Sequence, residues 1–131
     1  MKKQVEDWIF MADRDLITAE RIMADDDPFT NIVAFHCQQA IEKYLKGYLI
    51  EHDVPLEKTH DLVKLHGKIL KIKDLGLNDR KLAHISEVYT ETRYPGGIGL
   101  LPDGLPSDEE AQEFVEYAKE IQTIIMTELK D

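Results

Sequence analysis

The chain has 131 residues, 43% hydrophobic and 32% charged, with 26 acidic against 16 basic side chains and a formal net charge of −10. That length makes one domain with enough apolar material for a core and no room for a second, and the acidic excess argues against broad, non-specific nucleic-acid binding while leaving a local basic site open. Apolar runs of only a few residues exclude a membrane span, no charged start and apolar stretch marks a signal peptide, and the single cysteine, Cys37, excludes an internal disulfide and a cysteine-built zinc site.

The expectation is therefore a cytoplasmic protein, one domain over 1–131, with no membrane segment, metal or cofactor. In the first segment Val5, Trp8, Ile9, Ala12, Leu16, Ala19 and Met23 recur in steps of three and four, the stripe of an amphipathic helix. Asp25-Asp26-Asp27 breaks it. Asp27 is then read as the N-cap, and Pro28 as the first residue, of a second helix reaching about His52. Val33, Ala34, Cys37, Ala40, Ile41, Tyr44, Leu45, Tyr48 and Leu49 spread over roughly half its circumference, wider than a surface helix requires, so it is read as the centre of a bundle. Gln39, Glu42, Lys43 and Lys46 fall on the remaining face. Gln38 lies at the edge of the apolar arc, where a buried amide needs a partner on a neighbouring element or a cavity to line.

Thr59-His60-Asp61 reads as the start of a short helix carrying Leu62, Leu65, Ile69 and Ile72. Asn78 or Asp79 opens the next, with Leu82, Ile85, Tyr89 and Thr92 in register and Tyr94-Pro95-Gly96-Gly97 as its stop. Residues 94–106 form a long Gly/Pro-rich loop, a length that in a small domain points to function or mobility. Ser107 and Glu110 make a capping box before a last helix with Ala111, Phe114, Val115, Ala118, Ile121, Ile125 and Leu129 inward. No segment alternates with period two. The fold class is all-α: an antiparallel up-down bundle of four main helices plus a short fifth.

Charge is unevenly placed. Residues 58–73 carry Lys58, Lys64, Lys68, Lys71 and Lys73 against Asp61, whereas the last 25 residues carry eight acids and two lysines. The lysines read first as a solvated face, and second as a face for an anionic partner. His36, His52, His60, His66 and His84 show no spacing that places two imidazoles on one metal, so no metal is assigned. Arg80 and His84 share a helical face, as a phosphate-binding arginine and a proton-moving imidazole would. Arg93 and Tyr94 stand at the mouth of the long loop. An arginine there interacts well with the helix C-terminus, and with a tyrosine it also offers a donor fork for phosphate and a face for a base. His60, Lys43 and Lys46 join Arg93 and Tyr94 as candidate nucleotide-binding residues.

Trp8, Ala12, Asp15-Leu16 and Ala19, then Phe35-His36-Cys37-Gln38-Gln39-Ala40-Ile41-Glu42-Lys43-Tyr44-Leu45-Lys46, then Thr59-His60-Asp61-Leu62 and Arg93-Tyr94-Pro95 follow one another in an order that resembles the HEPN domain, the higher eukaryotes and prokaryotes nucleotide-binding domain. The resemblance covers essentially the whole chain and implies a helical bundle, usually dimeric. It also implies a choice of roles. Many small prokaryotic members pair with a minimal nucleotidyltransferase, some as toxin and antitoxin; others are ribonucleases whose motif is an arginine, four to six residues, and a histidine. Here three residues separate Arg80 from His84, and no histidine follows Arg93, so the ribonuclease motif is absent. The leading reading is a non-catalytic, homodimeric HEPN module partnering a nucleotidyltransferase and binding a nucleotide. The alternatives are a metal-independent ribonuclease with a degenerate motif and a helical protein used only for interaction.

Overall fold

The computed structural model describes the backbone of residues 1–93 and 104–130, and the side chains of these residues except 91–93. Five helices and no strand lie within them: α1 (Lys3–Met23), α2 (Thr30–Glu51), α3 (Leu62–Leu70), α4 (Asp79–Arg93) and α5 (Asp108–Leu129). The expected short fifth helix is α3, with nine residues. Most of the long loop expected over 94–106 falls outside the described residues.

The wide apolar arc does what its width implies. Helix α2 packs on all four of the others. Tyr44, Leu45, Tyr48 and Leu49 are buried, with Val33, Cys37, Ala40 and Ile41 along the same helix. Val5, Ile9, Ala12, Leu16 and Ala19 form the buried stripe of α1, and every apolar position expected in α5 is buried, with Tyr117 added. Lys2 bonds Glu51 near one end of α2, while Asp15 holds His36 nearer the other, so α2 doubles back along α1. A Cβ on Gly47 would stand 3.2 Å from Ile9 Cδ1 and 3.6 Å from Trp8 Cβ, so a glycine here lets the two helices approach.

Short polar residues set the helix starts. Asp61 accepts from the Val63 and Lys64 backbone N–H groups, Asn78 from those of Arg80 and Lys81, and Ser107 from that of Glu110. The Glu110 carboxylate does not complete a reciprocal box but meets His84 across the α4–α5 cleft at 2.6 Å. At α2 the expectation is corrected: the helix begins at Thr30, after Phe29 rather than Asp27. The Phe29 carbonyl receives the first N–H groups, from Ile32 and Val33, and the Asp27 N–H is held by Asp25 in a turn of its own. Gly67 lies within α3. No helix among the described residues is long and apolar enough to cross a membrane.

Two predictions test this core. Leu45→Ala should cost about 2–5 kcal/mol in denaturant unfolding, the range for a truncated core leucine; an unchanged unfolding curve would remove α2 from the centre. Burial, with a smaller contribution from the charge of Glu20, pushes the Cys37 thiol up to about 12. A thiol reagent at mildly alkaline pH should therefore label Cys37 at the rate of global unfolding, and prompt labelling of the native protein would show that this packing is open.

Candidate functional site

Gln38, Glu42 and Lys46 are spaced four apart, so they line one side of α2. Glu42 and Lys46 were expected on the remaining polar face of the helix, yet they are only 4% and 6% exposed, and Gln38 is fully buried. The helix has no solvent face there because α3 and its leading segment cover it: Lys46 shares a small hollow with Val54, Pro55, Leu56, Glu57, Leu65 and Lys68.

The three side chains form one network around the Glu42 carboxylate. Lys46 Nζ donates to Glu42 Oε2 at 2.9 Å. His60 Nδ1 lies 2.8 Å from Oε1, and a carboxylate only accepts, so Nδ1–H donates. Gln38 Nε2 reaches Oε1 at 3.3 Å and the His60 backbone carbonyl at 3.0 Å. Lys46 Nζ also stands 5.9 Å from the centre of the Trp8 ring. Gln38 Oε1 has no hydrogen-bond partner among the described residues.

Burying two charges is expensive, and a buried pair is weak evidence of stabilisation for its own sake. The one member of this network that reaches water is His60, whose side chain is 60% exposed. The network therefore fixes the His60 ring by Nδ1 and its backbone carbonyl by Gln38, leaving Nε2 on the outer edge. Against that ring lies Tyr89, at 6.2 Å between centres. Tyr89 is stacked on Phe35 at 5.7 Å and accepts from Gln39 Nε2 at 3.3 Å. It lies one turn before Arg93, the last residue of α4. His60 thus sits beside the helix end that the sequence singles out. The Arg93 side chain and Tyr94 lie outside the described residues.

Lys43 and Lys46, expected to share one ligand face, serve different carboxylates. Lys43 Nζ donates to Asp15 Oδ2 at 2.5 Å, and His36 Nδ1 meets Oδ1 of the same aspartate at 2.9 Å. Both ammonium groups are already engaged within the fold. The lysine-rich stretch is also partly neutralised: Lys64, at 2.6 Å, and Lys68 both reach Glu57, and Lys73 reaches Glu128 at 2.9 Å. Elsewhere, His66 is buried with Nδ1 on Asp79 at 2.6 Å, tying α3 to the start of α4. No group of three or more His, Cys, Asp or Glu residues among those described could hold a metal ion. Sequence reasoning missed Glu42 as the hub, because an acid and a lysine four apart read as a solvated face, and it took Tyr89 only as an apolar position in register on α4, not as the aromatic neighbour of His60.

The HEPN domain family model matches residues 5–129, and the chain belongs to this family. Two crystal structures share its fold. TT1696 from Thermus thermophilus superposes with a TM-score of 0.76 at 22% identity, over 98% of this chain and 100% of that one. ST0689, described as an archaeal HEPN homologue, superposes with a TM-score of 0.72 at 25% identity, over 99% of this chain and 100% of that one. No curated protein matches the chain.

Lys46→Met should cost about 3–5 kcal/mol, because it strands a buried carboxylate, and the added Glu42→Gln change should recover part of that loss. A single variant as stable as the parent would mean that the pair is solvated. At the surface, side-chain hydrogen bonds from Lys64 and Lys68 hold the Glu57 carboxyl down to about 2. A lowered acid favours the fold above the ordinary carboxylate range and loses that contribution as pH falls toward its native value. A Glu57 carbon resonance titrating near that low value, and returning to the ordinary range in Lys64→Gln/Lys68→Gln, would verify the contact; an ordinary midpoint in the parent would refute it.

Proposed function

We propose that the chain is a non-catalytic HEPN module that binds a nucleotide at the His60 end of the bundle and acts with a nucleotidyltransferase partner, in the manner of a toxin–antitoxin pair. The observation that carries the ligand part is His60 itself: an exposed imidazole held by a buried carboxylate and beside Tyr89, which lies one turn before Arg93 on α4. An imidazole edge can meet a phosphate oxygen, an arginine fork can take a second, and aromatic rings accept a base. Lys43 and Lys46 now act through Asp15 and Glu42, setting the frame instead of touching the ligand. An up-down order of the helices in a homodimer completes the reading, and the doubling back of α2 along α1 supports the order.

The ribonuclease reading has to use Arg80 and His84. His84 Nε2 is bonded to Glu110 Oε2 at 2.6 Å, which favours a role in joining α4 to α5.

Calorimetry with a panel of nucleoside triphosphates should detect binding that falls about tenfold in His60→Ala and in Arg93→Ala, and clearly less in Lys64→Ala, whose ammonium is spent on Glu57. No binding at millimolar nucleotide would favour the pure interaction module. Sedimentation at micromolar concentration should give twice the chain mass, and a clean monomer would remove the dimer.

A further inference from the structure

A second concavity shares no lining residue with the His60 network. Helices α4 and α5 part to leave a cleft of about 450 Å³, lined by Lys81, His84, Ile85, Phe114 and Tyr117 together with glutamates of α5, with the His84 ring 5.4 Å from that of Phe114 at one end. Its size is that of a small-molecule site. Its floor is apolar and aromatic: Ile85, Phe114 and Tyr117 are buried in the core and show only their upper surfaces. Its α5 rim is anionic. Among the described residues Glu110 is paired with His84 and Glu128 with Lys73, whereas Glu113, Glu116 and Glu120 have no basic partner. Inside the cleft the chain's own ammonium, Lys81 Nζ, stands 5.0 Å from the centre of the Tyr117 ring.

An aromatic floor with carboxylates above it is complementary to an alkylammonium ion, which offers methylenes to the rings and charge to the acids. The side chain of Lys81 is such a group, so the cleft already holds one example of that chemistry. The spacing of the acids narrows the choice. Glu113, Glu116 and Glu120 are three and four residues apart, which places them about 4.5 and 6 Å apart along the helix. Two ammonium nitrogens separated by three or four methylenes lie about 5–6 Å apart in an extended chain, from bond lengths near 1.5 Å. We propose that the α4–α5 cleft binds a linear polyamine, with its ammonium groups along Glu113, Glu116 and Glu120 and its methylenes over Phe114 and Tyr117. This site is independent of the nucleotide proposed at His60.

The test is a calorimetric titration of the full chain with spermidine at low salt. Binding should be saturable and weakened roughly tenfold in Glu116→Gln/Glu120→Gln, two exposed changes that leave the core intact. Lys81→Gln should tighten binding severalfold by clearing the cleft, and more than Lys119→Gln, which removes the same charge on the side of α5 facing Glu20. Magnesium chloride at equal ionic strength should compete poorly. Three results would overturn the proposal. One is the absence of saturable binding at millimolar spermidine. Another is equal displacement by magnesium, or equal effects of Lys81→Gln and Lys119→Gln, either of which marks a merely acidic surface. The last is a dimer that Glu116→Gln/Glu120→Gln dissociates while spermidine binds neither form, which assigns the cleft to a second copy of the chain.

Discussion

An acid and an amine, both almost wholly buried, sit on a helix that touches every other helix among the described residues. Placing Glu42 and Lys46 on α2 obliges the surroundings to satisfy them, because an unpaired charge at such depth costs several kcal/mol. The same obligation recurs along the helix. Tyr44 donates to Asp13 at 2.5 Å, with Gln122 of α5 donating to the same oxygen at 3.0 Å, and burial followed by that hydrogen bond raises the Tyr44 phenol. His36 and Lys43 share Asp15. Apolar contact brings the helices together, and these polar ties fix which residue of α1, α5 and the segment before α3 faces which residue of α2. Hydrophobic packing tolerates small slips; a buried carboxylate with three donors does not.

The candidate site is the open end of this polar interior. Of the residues gathered around Glu42, His60 alone is displayed, and Asp61 next to it caps α3, so its backbone is fixed from both sides. Tyr89, packed on Phe35, supplies a rigid aromatic wall from α4. The exterior charges follow a different logic. Much of the lysine-rich stretch is neutralised by Glu57 and Glu128, while Glu113, Glu116 and Glu120 of α5 have no basic partner among the described residues. The His60 end and the Glu113, Glu116 and Glu120 face of α5 are therefore chemically distinct regions of one small bundle, so the two proposed ligands, of opposite charge, would not compete.

The helices were legible in the sequence because each depends on local pattern. The stripe from Ala111 to Leu129 and the cap at Ser107 stand where spacing put them, and of the starts read at Thr59-His60-Asp61 and at Asn78 or Asp79 the structure selects Asp61 and Asn78 as the caps. Gln38 was legible as a buried amide in need of a partner. Glu42 and Lys46 were not. An acid and a lysine four apart are the usual mark of a solvated helix face, and what buries them is α3 and residues 54–57, which the sequence of α2 cannot announce. The start of α2 was misplaced for a similar reason: Asp27-Pro28 is a sound local signal, but Asp25 takes the Asp27 N–H and the helix begins two residues beyond Pro28.

The claim on which the rest depends is that Glu42 orients the His60 ring. Two-bond nitrogen–proton NMR of the histidine side chains, recorded at an alkaline pH where imidazoles are neutral, reports which ring nitrogen carries the proton. The account predicts that His60 is held as the Nδ1–H form, with Nε2 bare and facing outward, and that Glu42→Gln redistributes the proton between the two nitrogens. A His60 ring that favours the Nε2–H form in the parent, or one unchanged in Glu42→Gln, would contradict it.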